Sequence, residues 1–178
     1  MPMRGICCLI LLFACIGASA ERPVRSMLEY RTENLILQQW DNSCAAAALA
    51  TLLTYELRRP VTERQVARGL LGQTDELRVR TRGGFSLLDM KRYLAGLGIA
   101  GEGYGSMSLD DLRPFAPAIV PVSLRGFDHF VIVREVGATH VAIGDPAFGN
   151  YRMTHAAFLR SWSGTAFRLE PLMPGKEQ

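Results

Sequence analysis

Cysteine, histidine and long apolar runs are all scarce in this chain, and each shortage excludes something. The 178 residues hold four cysteines, three of which (Cys7, Cys8 and Cys15) lie close to the N-terminus, so Cys44 is left with no partner for a disulfide framework. The three histidines, His129, His140 and His155, give no pair at metal-ligand spacing, and neither a metal nor an organic cofactor is implied. The longest apolar run, residues 6–16 (ICCLILLFACI), is 11 residues long, short of the roughly 20 that a membrane-spanning helix needs. Charge of one sign is lacking too. The formal net charge is +3, which is no nucleic-acid footprint. Nothing is repetitive or low in complexity.

The apolar run follows Arg4 and precedes Ala18-Ser19-Ala20, with small residues at both cleavage-critical positions. That is the pattern of a secretion signal over residues 1–20, and it predicts an exported, periplasmic protein. A second reading lipidates Cys15 after Leu12-Phe13-Ala14, a pattern that Phe13 fits poorly. Removal of residues 1–20 leaves 158 residues, one domain by length. The expected division is a lead segment at 21–34, a domain at 35–171 and a frayed tail at 172–178. The arginines between Arg58 and Arg82 are read as a solvated helix face and loop rather than a polyanion site.

An unpaired thiol is a liability in an oxidising compartment, so Cys44 is either buried and inert or kept for chemistry. Its neighbours favour chemistry. The stretch CAAAALATLLTYELRR consists of helix formers, with Leu49, Leu52, Leu53 and Leu57 on one face and Arg58 and Arg59 in the expected last turn. Asp41, Asn42 and Ser43 are all N-cap types. The helix is therefore expected to begin at Cys44, where the peptide dipoles favour thiolate and the residue's own N–H is unpaired.

A base for this thiol is sought among the histidines. HFVIVREV (129–136) and THVAIGD (139–145) read as strands joined around Gly137-Ala138. The hairpin register that matches apolar with apolar pairs Val133 with Val141, Val131 with Ile143 and His129 with Asp145. An imidazole held by a carboxylate has a fixed tautomer and a stabilised imidazolium, as a cysteine-activating base requires. His140 is expected on the opposite face, and His155 just inside a helix starting at Thr154; both are read as exposed or capping. A second oxyanion donor could be Gln38 or Gln39, and spacing alone does not separate them.

Elsewhere, Thr62 with Gln65, Ser86 with Asp89 and Ser108 with Asp111 form capping boxes that open three further helices, ended by Gly72, Gly96–Gly98 and Pro114. Strands are expected over AIVPVSL (118–124), the hairpin, NYRM and TAFRLE. Pro121 predicts an edge strand or a bulge. Gly83-Gly84-Phe85 reads as a loop that allows close approach of another segment. The result is an α+β chain, with a helical N-terminal half and a C-terminal antiparallel sheet.

QQWDNSCAAAAL, GGFSLLDMKRYLAGLGIAGEGYG, HFVIV and GDPAFGNYRMTHAAFLRSW together resemble the C39 peptidase family, papain-like cysteine proteases known as leader-cleaving domains of bacteriocin exporters. The similarity covers about residues 35–170. The resemblance implies Cys44 as nucleophile, His129 as base and Asp145 as the orienting carboxylate, and it selects Gln38, six positions before the nucleophile, as the oxyanion donor. Ser43 and Ala45 stand where the family has an acidic residue and a glycine. The chain also resembles the stand-alone C39-like proteins of bacterial functional-amyloid secretion. What this implies is an exported cysteine endopeptidase acting on a peptide or protein substrate by cleavage of the Gly-Gly type, with outer-membrane or amyloid secretion components as partners. The alternatives are a papain-like amidase or acyl transferase, and a chaperone-like binding partner that does not turn over.

Overall fold

The computed structural model describes residues 26–124 and 126–171. The expected signal segment, Cys15 and the tail at 172–178 lie outside the described residues. Among the described residues seven α-helices and six strands follow in this order: α1 (Met27–Thr32), α2 (Cys44–Thr51), α3 (Glu63–Leu71), α4 (Glu76–Arg82), α5 (Leu87–Gly96), β1 (Ile99–Tyr104), α6 (Leu109–Phe115), β2 (Ala118–Leu124), β3 (Phe127–Val136), β4 (His140–Asp145), β5 (Gly149–Thr154), α7 (His155–Ser161) and β6 (Ala166–Pro171). The strands form one antiparallel sheet in the order β1-β6-β2-β3-β4-β5. The α+β expectation holds, with the sheet covered on both faces.

The strand sequences account for that double cover. In β3, Val131 and Val133 pack with Leu112 of α6 and Phe158 of α7, while the intervening Ile132 packs with Leu49 of α2 and Met90 of α5. Successive side chains of a strand point to opposite faces, so a run of four apolar residues specifies burial on both. Helix α2 is buried all round: Ala45–Ala48 and Leu49 have no exposed surface. Its alanines allow close approach to α3 and β3, and each fully buried leucine contributes about 2 kcal/mol. The helix continues as a π-helical turn, Leu52–Glu56, and ends there. Arg58 and Arg59 therefore lie past its end rather than in its last turn, and Arg58 has a left-handed φ of 53°.

The three capping boxes form as expected at Thr62, Ser86 and Ser108. Helix α6 runs one residue past Pro114 instead of stopping at it. Two helices are additional. Helix α1 buries none of its residues and is held by a capping box from Ser26 to Glu29, and α4 starts at an Asp75 cap and stops at left-handed Gly83. Strand β1 is additional too, lying in a stretch for which the sequence reading expects no strand. Gly101 is needed there, since a Cβ would lie 2.6 Å from both Leu94 and Phe167. Pro121 lies neither at an edge nor in a bulge: β2 is interior, but on its β6 side it pairs only at Ile119, opposite Phe167, and through an isolated bridge from Val122 to Trp162, which precedes β6. The proline occupies the gap between them, where its missing N–H costs no ladder bond.

The turn after β4 is fastened to α1. Arg31 donates to the Phe148 carbonyl at 2.6 Å, Asn150 donates to the Tyr30 and Glu33 carbonyls, and Gly149 has φ 85° with no room for a side chain. A Cβ there would lie 2.7 Å from the Arg31 carbonyl oxygen. Gly149→Ala is expected to destabilise the protein by roughly 1–3 kcal/mol, from the left-handed backbone and the clash together. A urea melt checks this, and an unchanged midpoint would show that α1 is not seated as described.

Candidate active site

Cys44 is the first residue of α2, as its neighbours predict, and it is partly exposed rather than sealed in the core. Ser43 occupies the cap position, yet its hydroxyl makes no cap hydrogen bond. It faces the Trp40 carbonyl, 2.6 Å away, and a carboxylate oxygen of Glu63, and it can donate to either. The first-turn amides of α2 are therefore not occupied by their own cap. Asn42 supports the abrupt entry into the helix with a left-handed φ of 62°.

His129 on β3 and Asp145 at the end of β4 meet, with Nε2 of the ring 2.8 Å from Oδ1. The expected hairpin register is wrong, however. Ile132 lies opposite Gly144 and Val133 opposite Ile143, and a bulge between Val133 and Glu135 brings Val136 opposite Val141. Continued toward the strand ends, that register makes His129 and Asp145 diagonal neighbours on one face rather than a direct pair. The diagonal is within reach of an imidazole. The turn is the cause: its tip is Ala138-Thr139, with the Gly137 N–H bonded to the His140 carbonyl, so that Val136 faces Val141. The bulge at Arg134, whose guanidinium bonds Asn150 and the Asn34 carbonyl, takes back one residue of that displacement.

Asp145 is fully buried and receives four donors. Oδ1 accepts from the His129 ring and from the Ala147 and Phe148 amides at 2.8 and 3.1 Å, and Oδ2 accepts from the Tyr151 hydroxyl at 3.1 Å. Burial alone would push its acid up, but the bonds from His129, Ala147 and Phe148 outweigh it and hold the carboxyl below its ordinary range. For His129, burial likewise opposes a charge. The hydrogen bonds to Asp145 and Cys44 and the charges of both partners prevail and push its pKa up to about 9. Nε2 is engaged by Asp145, so Nδ1 is the nitrogen left for the thiol. Burial and the neighbouring Asp145 push Tyr151 in turn upward, so it stays a hydroxyl donor.

Gln38 and Gln39 separate clearly. The backbone N–H of Gln38 donates to Pro146, at 2.9 Å, in the turn that follows Asp145, and its side chain lines the same cleft as Cys44 and His129. Its Oε1 is buried without a partner among the described residues, while Nε2 donates weakly to the Trp40 carbonyl at 3.3 Å. Gln39 is exposed and its N–H turns away to Glu63. Two clefts meet at the thiol and the imidazole. One, of about 520 Å³, is walled by Gly83–Leu87 and Pro121–Ser123; the other, of about 960 Å³, by Phe127, Phe148, Tyr151 and Met153. Gly84 forms the close approach expected of this loop, a Cβ on it falling 3.3 Å from the Asn42 carbonyl. Arg82 braces this wall by bonding the Gly84 carbonyl and Asp89.

The other two histidines lie apart. His140 is exposed beside the Thr139 hydroxyl, and His155, at the start of α7, bonds the Gly137 carbonyl. Sequence reading missed Tyr151 and Glu63. Alternation along β5 could have found Tyr151, because Gly149 pairs with Asp145 and the residue two further on shares its face. No local signal marks Glu63. The arrangement can pass a proton from a thiol to an oriented imidazole and present N–H groups to an oxygen beside the sulfur.

The sequence profile described as the peptidase C39 family matches residues 32–172. Over 151 residues the chain is 42% identical to a Pseudomonas fluorescens protein named "Probable functional amyloid protease FapD", and over 153 residues it is 39% identical to the protein of that name from Pseudomonas aeruginosa. Each match takes in 85% of this chain, which spans 66% of the length of these curated relatives. The crystal structure of a double glycine motif protease from an AMS/PCAT transporter in complex with the leader peptide superposes with a TM-score of 0.64 at 26% identity, over 77% of this chain and 90% of that one. The fold is thus that of C39 peptidase domains, and the chain belongs to the peptidase C39 family.

Proposed function

We propose that this chain is an exported cysteine endopeptidase that cleaves a peptide segment of a secreted or secretion-system protein. The observation that carries the reading is the meeting of two open clefts at Cys44 and His129, with Asp145 sealed behind the ring. An extended peptide laid through both clefts would bring one carbonyl to the sulfur. His129 takes the Cys44 proton; the thiolate adds to the carbonyl carbon; the oxyanion is held by the Gln38 side-chain amide and the Cys44 N–H. Collapse breaks the C–N bond, and the amine leaves with the proton from His129. Water, deprotonated by the same imidazole, hydrolyses the thioester. Asp145 and Tyr151 keep the ring oriented throughout.

The names of the relatives support a substrate among the components of functional-amyloid secretion, and the leader-bound double glycine protease supports cleavage after a Gly-Gly pair. The apolar segment at 6–16 with Ala18 and Ala20 supports export to the periplasm. Incubation with Gly-Gly-containing peptides and with intact amyloid-system proteins, followed by mass spectrometry, tests this. The expected result is one new pair of termini at a Gly-Gly site. Transfer of the acyl group to added amines in place of hydrolysis would identify an acyl transferase, and tight binding without cleavage a chaperone.

A further inference from the structure

Glu63 is a carboxylate that the chemistry above does not use and that water barely reaches, being 2% exposed at the first position of α3. Both of its oxygens accept the Gln39 N–H at 3.0 Å, and one of them meets the Ser43 hydroxyl. That hydroxyl lies 2.6 Å from the Trp40 carbonyl, which also accepts from the Gln38 side chain. The adjacent Arg64 lies 5.3 Å from the centre of the Trp40 ring. A buried carboxylate is unfavourable unless its oxygens are paired, and here the pairing is directed at one short loop. The loop runs from Gln38 to Cys44. Gln39 follows one oxyanion donor and Ser43 precedes the other, so Glu63 grips the neighbours of both.

We propose that Glu63 is a positioning residue that sets the separation between the Gln38 amide and the Cys44 N–H, so that both donors face one oxygen. The Pro146 carbonyl accepts from the Gln38 N–H at 2.9 Å, so the loop is held at Gln38 as well as at Gln39 and Ser43. The inference rests on the roles given to Gln38 and Cys44 above. It predicts a selective defect: Glu63 acts on reactions that pass through an oxyanion and not on the thiol itself.

Two reagents separate these effects on the intact protein. With p-nitrophenyl acetate, the thiolate adds to the carbonyl, an oxyanion forms, p-nitrophenolate leaves with the C–O electron pair and the acetyl group stays on sulfur. With iodoacetamide, sulfur displaces iodide and no oxyanion forms. Glu63→Gln keeps the shape but turns an amide N–H toward a loop of donors; it is expected to slow acetylation about tenfold while alkylation stays within about twofold. Ser43→Ala removes one of the two loop contacts and is expected to show the same selectivity at about threefold. It serves as the test if Glu63→Gln melts early. Gln38→Ala should slow acetylation at least as much as Glu63→Gln. If Gln38→Ala leaves acetylation unchanged, the oxyanion reading falls and this proposal with it. If Gln38→Ala slows acetylation but the other two variants do not, or slow alkylation equally, only the role of Glu63 is overturned.

Discussion

Replacing Cys44 by alanine is expected to abolish cleavage while leaving the fold intact, a loss of about 10⁴-fold or more. Alanine continues the run of alanines that α2 already contains and is the best helix former. The sulfur it removes is partly exposed and makes no disulfide among the described residues, so little packing is lost. His129→Ala should cost a comparable factor, because a neutral thiol with no base nearby is a poor nucleophile. The two losses are not additive, since each residue is useless without the other; the double variant should be no slower than either single one. The stabilities separate them. Without the imidazole, the Asp145 carboxylate stays buried and short of its ring partner, a defect of roughly 3 kcal/mol. Cys44→Ala should melt close to the parent, and His129→Ala well below it. Cleavage at parental rates by pure Cys44→Ala protein would remove the nucleophile from the scheme.

The position of the thiol was legible because its signals are local. Cap-type residues, an unbroken helix-forming run and an odd cysteine all sit within one short window. The same holds for the three capping boxes. The His129–Asp145 contact was legible for a subtler reason: beyond the bulge the expected register is displaced by two along the partner strand, and a displacement of two leaves the side chains there on their own faces. A displacement of one would have sent Asp145 to the other side of the sheet. What displaced the register was the turn, whose tip is Ala138-Thr139, and what brought the faces back into step was the bulge at Arg134, whose guanidinium reaches Asn34 and Asn150; in sequence Arg134 looks like any outward-facing residue of a hairpin. The choice of Gln38 over Gln39 came from resemblance alone, because the bonds that decide it, to Pro146 and Glu63, are long-range. Strand β1 was hidden by Gly101, a residue that reads as loop until Phe167 packs over it.

Asp145→Asn tests the electrostatics of the site through pH. In the native protein one carboxylate faces four donors, and the ring beside it keeps its proton to about 9 against an ordinary value of 6.5. A proton held more tightly in the fold than in the open chain stabilises the fold where both forms are protonated. For His129 that stabilisation is fully present below about 6.5 and is lost as pH rises through about 9, a difference on the order of 3 kcal/mol. Asp145 works in the opposite sense: its contribution is present above the ordinary carboxyl value of 3.8 and is lost as pH falls through its lowered value. Stability should therefore be greatest between about 4 and 6.5 and decline on both sides. The amide introduced by the substitution carries no charge and must turn an N–H toward one of the four donors. The variant is expected to lose the acid slope and keep only the part of the alkaline slope that Cys44 supplies, to lose about 10²- to 10⁴-fold in kcat, and to bring the alkaline limb of kcat/KM down from about 9 toward the ordinary histidine value, because the imidazolium that protonates the leaving amine is held less firmly. Tyr151→Phe removes only the bond to Oδ2 and leaves the carboxylate charged, so the limb should stay near its parental place. An alkaline limb that stays in place in Asp145→Asn would mean that the carboxylate does not control the proton on His129, and that the ring is charged by Cys44 alone.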